Sequence, residues 1–175
     1  AAYGIANQIN GQLMFFSQTL MTAMRPQIMK SEGANNRDRM VKLALSANRL
    51  SFYLFTFFAL PMFYQMKFVL SKWLKEVPEY TVIFCQAILL LTMANQINLG
   101  LMTAVQAIGK IRVYQIVAGG MQLLTLPIGY LFLQRGYPPQ SILYISFGLE
   151  CLSTVFRMFY FEYLTGFKVK KYFTT

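Results

Sequence analysis

The sequence predicts an all-α polytopic membrane bundle of about five transmembrane helices, with a short amphipathic helix after the first. Three observations carry this. The 175 residues are 56% hydrophobic and 13% charged, where a soluble domain carries roughly 25% charged residues. Mean hydropathy is +0.43. The 16 Lys+Arg and 6 Asp+Glu sit between long uncharged runs. A bilayer suits such a chain, because about 20 mostly apolar residues cross a hydrocarbon core of roughly 30 Å.

Counting uncharged runs divides residues 1–175, one transmembrane region, into spans at about 1–27, 41–66, 80–109, 112–134 and 139–164. The first is expected to stop at Arg25-Pro26. The second is uncharged from Leu50 to Met66 and is lengthened by the preceding 41–48 stretch. The fifth opens after Tyr137-Pro138-Pro139, where proline suits a first helical turn, and continues through Glu150, Arg157 and Glu162. Pro127 is expected to bend the fourth. The segment between the first two spans repeats Met40, Leu43, Ala44, Ala47 and Leu50 at helical spacing opposite Arg37, Lys42 and Arg49. It reads as an interfacial amphipathic helix or as a solvated basic loop.

The connections give an orientation through the excess of Lys and Arg on the cytoplasmic side. Lys30, Arg37, Arg39, Lys42 and Arg49 lie in the first connection, Lys110 and Arg112 in the third, and Lys168, Lys170 and Lys171 in the tail. The other side holds Lys67, Lys72, Lys75 and Arg135, partly offset by Glu76 and Glu79. The balance predicts an N-terminus outside, a C-terminus in the cytoplasm, and Trp73, Tyr64 and Tyr80 at the outer headgroup boundary. The formal charge of +10 therefore marks membrane sidedness rather than nucleic acid, since no Lys/Arg-rich block with interleaved aromatics occurs.

Composition also excludes chemistry. Without histidine there is no Ser-His-Asp or Cys-His site, no His-ligated zinc and no His-ligated haem. No enzyme activity, cofactor or metal is expected. Cys85 and Cys151 each lie in an apolar stretch and are expected to be small buried side chains rather than a disulfide. The opening Ala1-Ala2-Tyr3, with no basic n-region, reads as a cut from a longer polypeptide.

A helix that only anchors would be apolar all round, yet three of these carry polar stripes. The first aligns Asn7, Gly11, Gln18, Thr22 and Arg25, with Met14 in the gap and Asn10 and Gln12 widening the face. The third offers Thr92, Asn95, Gln96, Thr103 and Gln106, with Gly100 allowing close approach. The fourth spaces Gln115, Gly119, Gln122 and Gly129. Lipid cannot satisfy amides, so these faces either glue helices together or line a shared polar cavity. In the fifth, Glu150, Thr154 and Arg157 share a face, with Glu150 roughly 16 Å beyond Pro139. They read either as a packing ion pair or as functional groups: Glu150 a proton- or cation-responsive acid, Arg157 a contact for an anion.

The run Gly4-Ile5-Ala6-Asn7-Gln8-Ile9-Asn10, the helix end Met24-Arg25-Pro26-Gln27-Ile28, the basic linker, Trp73-Leu74 and Ala107-Ile108-Gly109-Lys110 resemble the multidrug/oligosaccharidyl-lipid/polysaccharide (MOP) exporter superfamily. Within it the polysaccharide-export branch, with its O-antigen flippases, is the most similar. The resemblance implies a C-terminal-half fragment of a MATE-like transporter of 12 to 14 helices in the bacterial inner membrane, partnered by its remaining half and working by alternating access. It implies a lipid-linked oligosaccharide as cargo, with Arg25 and Arg157 able to meet its pyrophosphate. Asn7, Gln18, Asn95, Gln96 and Gln122 would line the cavity and Glu150 would be the ion-coupling candidate. A drug or cation antiporter of the same fold is the nearest alternative. A membrane glycan polymerase or acyltransferase is disfavoured by short outer connections without histidine, and a simple anchor by the polar stripes.

Overall fold

The computed structural model describes residues 2–74 and 77–167. They form six helices: α1 Ala2–Gly33, α2 Arg37–Tyr64, α3 Met66–Trp73, α4 Thr81–Ile108, α5 Ile111–Gln134 and α6 Ser141–Thr165. Lys75, Glu76, Lys168, Lys170 and Lys171, which enter the charge balance above, lie outside the described residues.

Four helices, α2, α4, α5 and α6, are long and apolar enough to cross a membrane. Their 24 to 28 residues reach about 36–42 Å at 1.5 Å per residue. The sequence reading counted five apolar spans, and α1 is the exception. With 32 residues it is the longest helix, but Asn7, Gln8, Asn10, Gln12 and Gln18 dilute its apolar content.

Helix α4 is the hub, packed against α1, α2 and α6, while α5 leans chiefly on α6. The core divides into two clusters, one at each end of the bundle. At one end Ile28, Met40, Val41, Leu101, Tyr114 and Phe161 meet. At the other, Ala6, Phe55, Leu70, Cys85, Ile88 and Leu143 do. Successive long helices therefore alternate in direction. The α1–α2 and α4–α5 connections, which carry Lys30, Arg37, Arg39 and Lys110, share the first end. Tyr160 of α6 closes that end by donating to the Lys110 carbonyl at 3.1 Å.

Several local expectations are corrected. Helix α1 does not stop at Arg25-Pro26 but runs on to Gly33. Pro26 removes one N–H from the ladder, yet the turn beyond it is held by the buried Ile28 and Ser31. No separate amphipathic helix follows: α2 starts at Arg37 and is continuous to Tyr64. The apolar positions Met40, Ala44 and Ala47 of that stretch are buried in the bundle rather than laid on a membrane surface. A tight turn makes this possible, with Asn35 left-handed at φ 56° and Asn36 capping α2 by accepting from the Arg39 N–H at 3.1 Å. Arg37 pairs with Glu32 across it. Arg49, counted with the basic connection, instead sits about 18 Å along α2.

The second span also ends differently. It breaks at Gln65, and the short amphipathic helix α3 follows, burying Met66 and Leu70 while Phe68 and Trp73 stay exposed. Tyr64, Trp73 and Tyr80 are all exposed at this end of the bundle. Beside Glu79, which hydrogen-bonds it and adds negative charge, the Tyr80 phenol titrates above its ordinary value. Cys85 is buried as expected, but Cys151 is exposed on the outer face of α6.

Helices α2 and α4 approach each other closely at Gly100. A Cβ there would lie 2.7 Å from the Ala44 carbonyl oxygen and 2.9 Å from Asn48 Cγ, with Asn48 Cβ nearer still. Because Gly100 has none, the Asn48 amide reaches the α4 backbone, accepting from the Gly100 N–H at 2.7 Å and donating to the Ile97 carbonyl at 3.0 Å.

Candidate functional site: a polar cavity among four helices

Because α5 touches α4 only lightly and leans on α6, a space of about 530 Å³ opens among α1, α4, α5 and α6. Its wall mixes amides and hydroxyls with the apolar side chains of Met14, Leu99, Met102 and Ala118. α1 contributes Asn10 and Met14, α4 contributes Thr92, Asn95, Gln96 and Asn98, and α5 contributes Tyr114, Gln115, Gly119 and Gln122. From α6 comes Arg157, the one formally charged residue among the described lining. A smaller space of about 250 Å³ lies alongside, reached by Leu91, Met121, Ser146 and Glu150, and Asn95 and Gln122 border both.

The partition between the two spaces is a buried polar network. Arg157 Nη1 donates to Glu150 Oε1 at 2.8 Å, and both side chains are more than nine-tenths buried. Asn98 Nδ2 donates to the same Oε1 at 3.1 Å and to Thr154 Oγ1 at 2.7 Å. Thr154 in turn donates to the Glu150 carbonyl at 2.8 Å. The seven-residue spacing from Glu150 to Arg157 makes this pair possible within one helix, since it spans about two turns. From α5, Tyr114 donates to the Asn98 carbonyl at 3.3 Å, and its ring lies 5.3 Å from the Arg157 guanidinium carbon, within cation–π reach. On the α1 side, Gln96 Nε2 donates to Ser17 Oγ at 2.9 Å, and Ser51 of α2 donates to the Ser17 carbonyl at 3.2 Å.

Some donors and acceptors are left over. Among the residues of the large cavity, Asn10 Oδ1, Gln96 Oε1, Asn98 Oδ1 and Arg157 Nε are buried without a hydrogen-bond partner. Buried polar groups are nearly always paired, so such a cluster at one cavity marks a place where something else binds or where the network has a second arrangement.

The family model described as MatE matches residues 1–131. The chain belongs to the MatE family. Neither the curated proteins nor the solved structures give a match. As a MatE-family chain it is a membrane transporter of the MATE/MOP type, and its amide-lined cavity lies largely on the matched helices, while α6 with Glu150 and Arg157 follows them.

The MatE chain brings together Asn95, Gln96, Gln122 and Arg157 on the large cavity, with Glu150 behind Arg157. It does not bring Asn7, Gln18 or Arg25 there: all three are exposed on α1, and the Asn7 amide donates to the Tyr3 carbonyl of its own helix at 3.1 Å. The α1 face turned inward is the neighbouring one, with Asn10, Met14, Ser17 and Met21 spaced four, three and four apart. Two central residues were not singled out from the sequence, Asn98 and Tyr114. The cluster Asn95-Gln96-Ile97-Asn98 signals the first, because three amides within four residues of an apolar helix cannot all face lipid. Nothing in the sequence marks Tyr114, which sits in the first turns of α5.

Proposed function

We propose that this transporter flips a lipid-linked oligosaccharide carrying a pyrophosphate, an O-antigen or capsule repeat unit, across the bacterial inner membrane by alternating access. The observation that supports this reading is the polar part of the cavity wall: uncharged amides and hydroxyls with a single guanidinium among the described lining. Amides exchange hydrogen bonds with sugar hydroxyls without paying for charge burial, and a guanidinium forks onto phosphate oxygens. In this reading Asn95, Gln96 and Gln122 meet the glycan, Arg157 meets the phosphate, and Glu150 is the ion-coupling acid. Asn7, Gln18 and Arg25, on the exposed face of α1, contribute from a surface other than this cavity. The basic end of the bundle faces the cytoplasm, with the remaining half of the transporter covering the open side.

A MATE-type drug or cation antiporter is the second reading, which the family match supports equally. The two differ at Arg157, which attracts a phosphate and repels a cationic drug. In cells that depend on the protein for surface glycan, Arg157→Ala should abolish display while Arg157→Lys retains part of it. Unchanged surface glycan with Arg157→Ala would remove the flippase reading, and drug resistance gained by the same variant would favour the antiporter.

A further inference from the structure

We infer that the Glu150–Arg157 pair links anion capture to proton uptake: an anion that takes over the Arg157 guanidinium leaves Glu150 to bind one proton. This rests on the anion-binding role proposed for Arg157 and adds the fate of its partner.

Three features of the network lead there. First, Glu150 and Arg157 face different spaces. Arg157 lines the large cavity and Glu150 the small one, so an anion and a proton reach the pair by separate routes. Second, among the described residues Glu150 has no other cation beside it. The polar groups around it are Arg157, Thr154 and Ser146 on its own helix, the neutral amides Asn95 and Asn98 on α4, and Gln122 and Tyr114 on α5. A carboxylate left in this setting after its guanidinium turns away is an uncompensated buried charge, and such groups neutralise rather than stay ionised.

Third, two of the orphaned atoms, Asn98 Oδ1 and Arg157 Nε, suit the state that results. Asn98 donates through Nδ2 to Glu150 Oε1, while Oδ1 of the same amide is buried with no donor. A carboxylic acid presents an acceptor and a donor side by side, as an amide does, so a protonated Glu150 supplies what Oδ1 lacks. Arg157 Nε is likewise buried without an acceptor, and an anion in the large cavity supplies one. The ion-paired state leaves both atoms unsatisfied, and the state with anion and proton bound satisfies both.

One proton passes from solvent in the small cavity to the Glu150 carboxylate as the anion binds. The same proton returns to solvent when the anion leaves and Arg157 re-forms its pair.

The test is sulfate binding to the protein in lipid nanodiscs, since sulfate mimics a phosphate group and keeps its charge across neutral pH. Linked uptake of one proton predicts affinity that falls roughly tenfold per pH unit while Glu150 is ionised in the free protein. Glu150→Gln should flatten this dependence and bind sulfate more tightly than the parent at the alkaline end. The parent's pH slope needs no variant to fold. Sulfate binding with no pH slope in the parent overturns the linkage and leaves the anion-binding role standing. A slope that persists in Glu150→Gln overturns the assignment to this residue. No sulfate binding at any pH overturns both the linkage and the role of Arg157 on which it rests.

Discussion

Replacing Gly100 with alanine tests the packing of the hub helix. The added Cβ would stand 2.7 Å from the Ala44 carbonyl oxygen and 2.9 Å from Asn48 Cγ, well inside the 3.5–4.0 Å at which nonbonded carbon atoms settle. The obstruction is the Ala44 carbonyl and the Asn48 Cβ, which is fixed to its backbone, so α2 and α4 must move apart. Overpacking of this kind costs about 1–3 kcal/mol. Separation also loosens the two hydrogen bonds from Asn48 to the Gly100 N–H and the Ile97 carbonyl, each worth about 0.6 kcal/mol between membrane helices. Against this, alanine is favoured over glycine in a helix by about 1 kcal/mol. The net expectation is a loss of about 1–3 kcal/mol, read by thermal or SDS-titrated unfolding of the detergent-solubilised protein. Gly120→Ala is the control, because a Cβ there meets nothing within 4 Å, and it should be neutral or stabilising. If Gly100→Ala proves as stable as Gly120→Ala, the close approach of α2 to α4 is wrong.

Other expectations concern the network and the orientation. Arg157→Met alone strands the Glu150 charge and should cost about 3–5 kcal/mol near neutral pH, while adding Glu150→Gln should restore most of it; equal losses in the single and double variants would contradict the pairing. Tyr114→Phe removes one hydrogen bond to the Asn98 carbonyl and should cost less than about 1 kcal/mol. Tyr114→Ala empties a site that is 2% exposed and should cost about 3–5 kcal/mol, measured by the same unfolding titration. For orientation, Gly33→Cys in a background without Cys85 and Cys151 should react with an impermeant maleimide in inverted membrane vesicles and not in intact cells. Labelling from the periplasm would reverse the proposed topology.

Much of the helical layout could be read from hydropathy, because a bilayer forces every backbone group to bond within its own segment and so makes long apolar runs helical. The polar stripe of α5 was legible for the same reason: Gln115, Gly119 and Gln122 recur at helical spacing and do line the cavity. Local signals misled where tertiary contacts outweighed them. Pro26 suggested an end, but burial of Ile28 and Ser31 holds the helix beyond it. The periodic stretch around Met40 suggested a membrane surface or a solvated loop, yet periodicity records only that one face is apolar and not what covers it.

Composition and spacing by themselves determined that the chain is a helical membrane protein whose helices carry polar stripes, and that Glu150, Thr154 and Arg157 share one face of one helix. Those properties depend on residues close in sequence. Only the tertiary structure decided which amides meet, because Asn98 reaches Glu150 across 52 positions and Gln96 reaches Ser17 across 79. It turned α1 so that Asn10 faces the cavity and Arg25 does not. The rotation of a helix about its own axis is set by the helices packed against it, and no single segment carries that information.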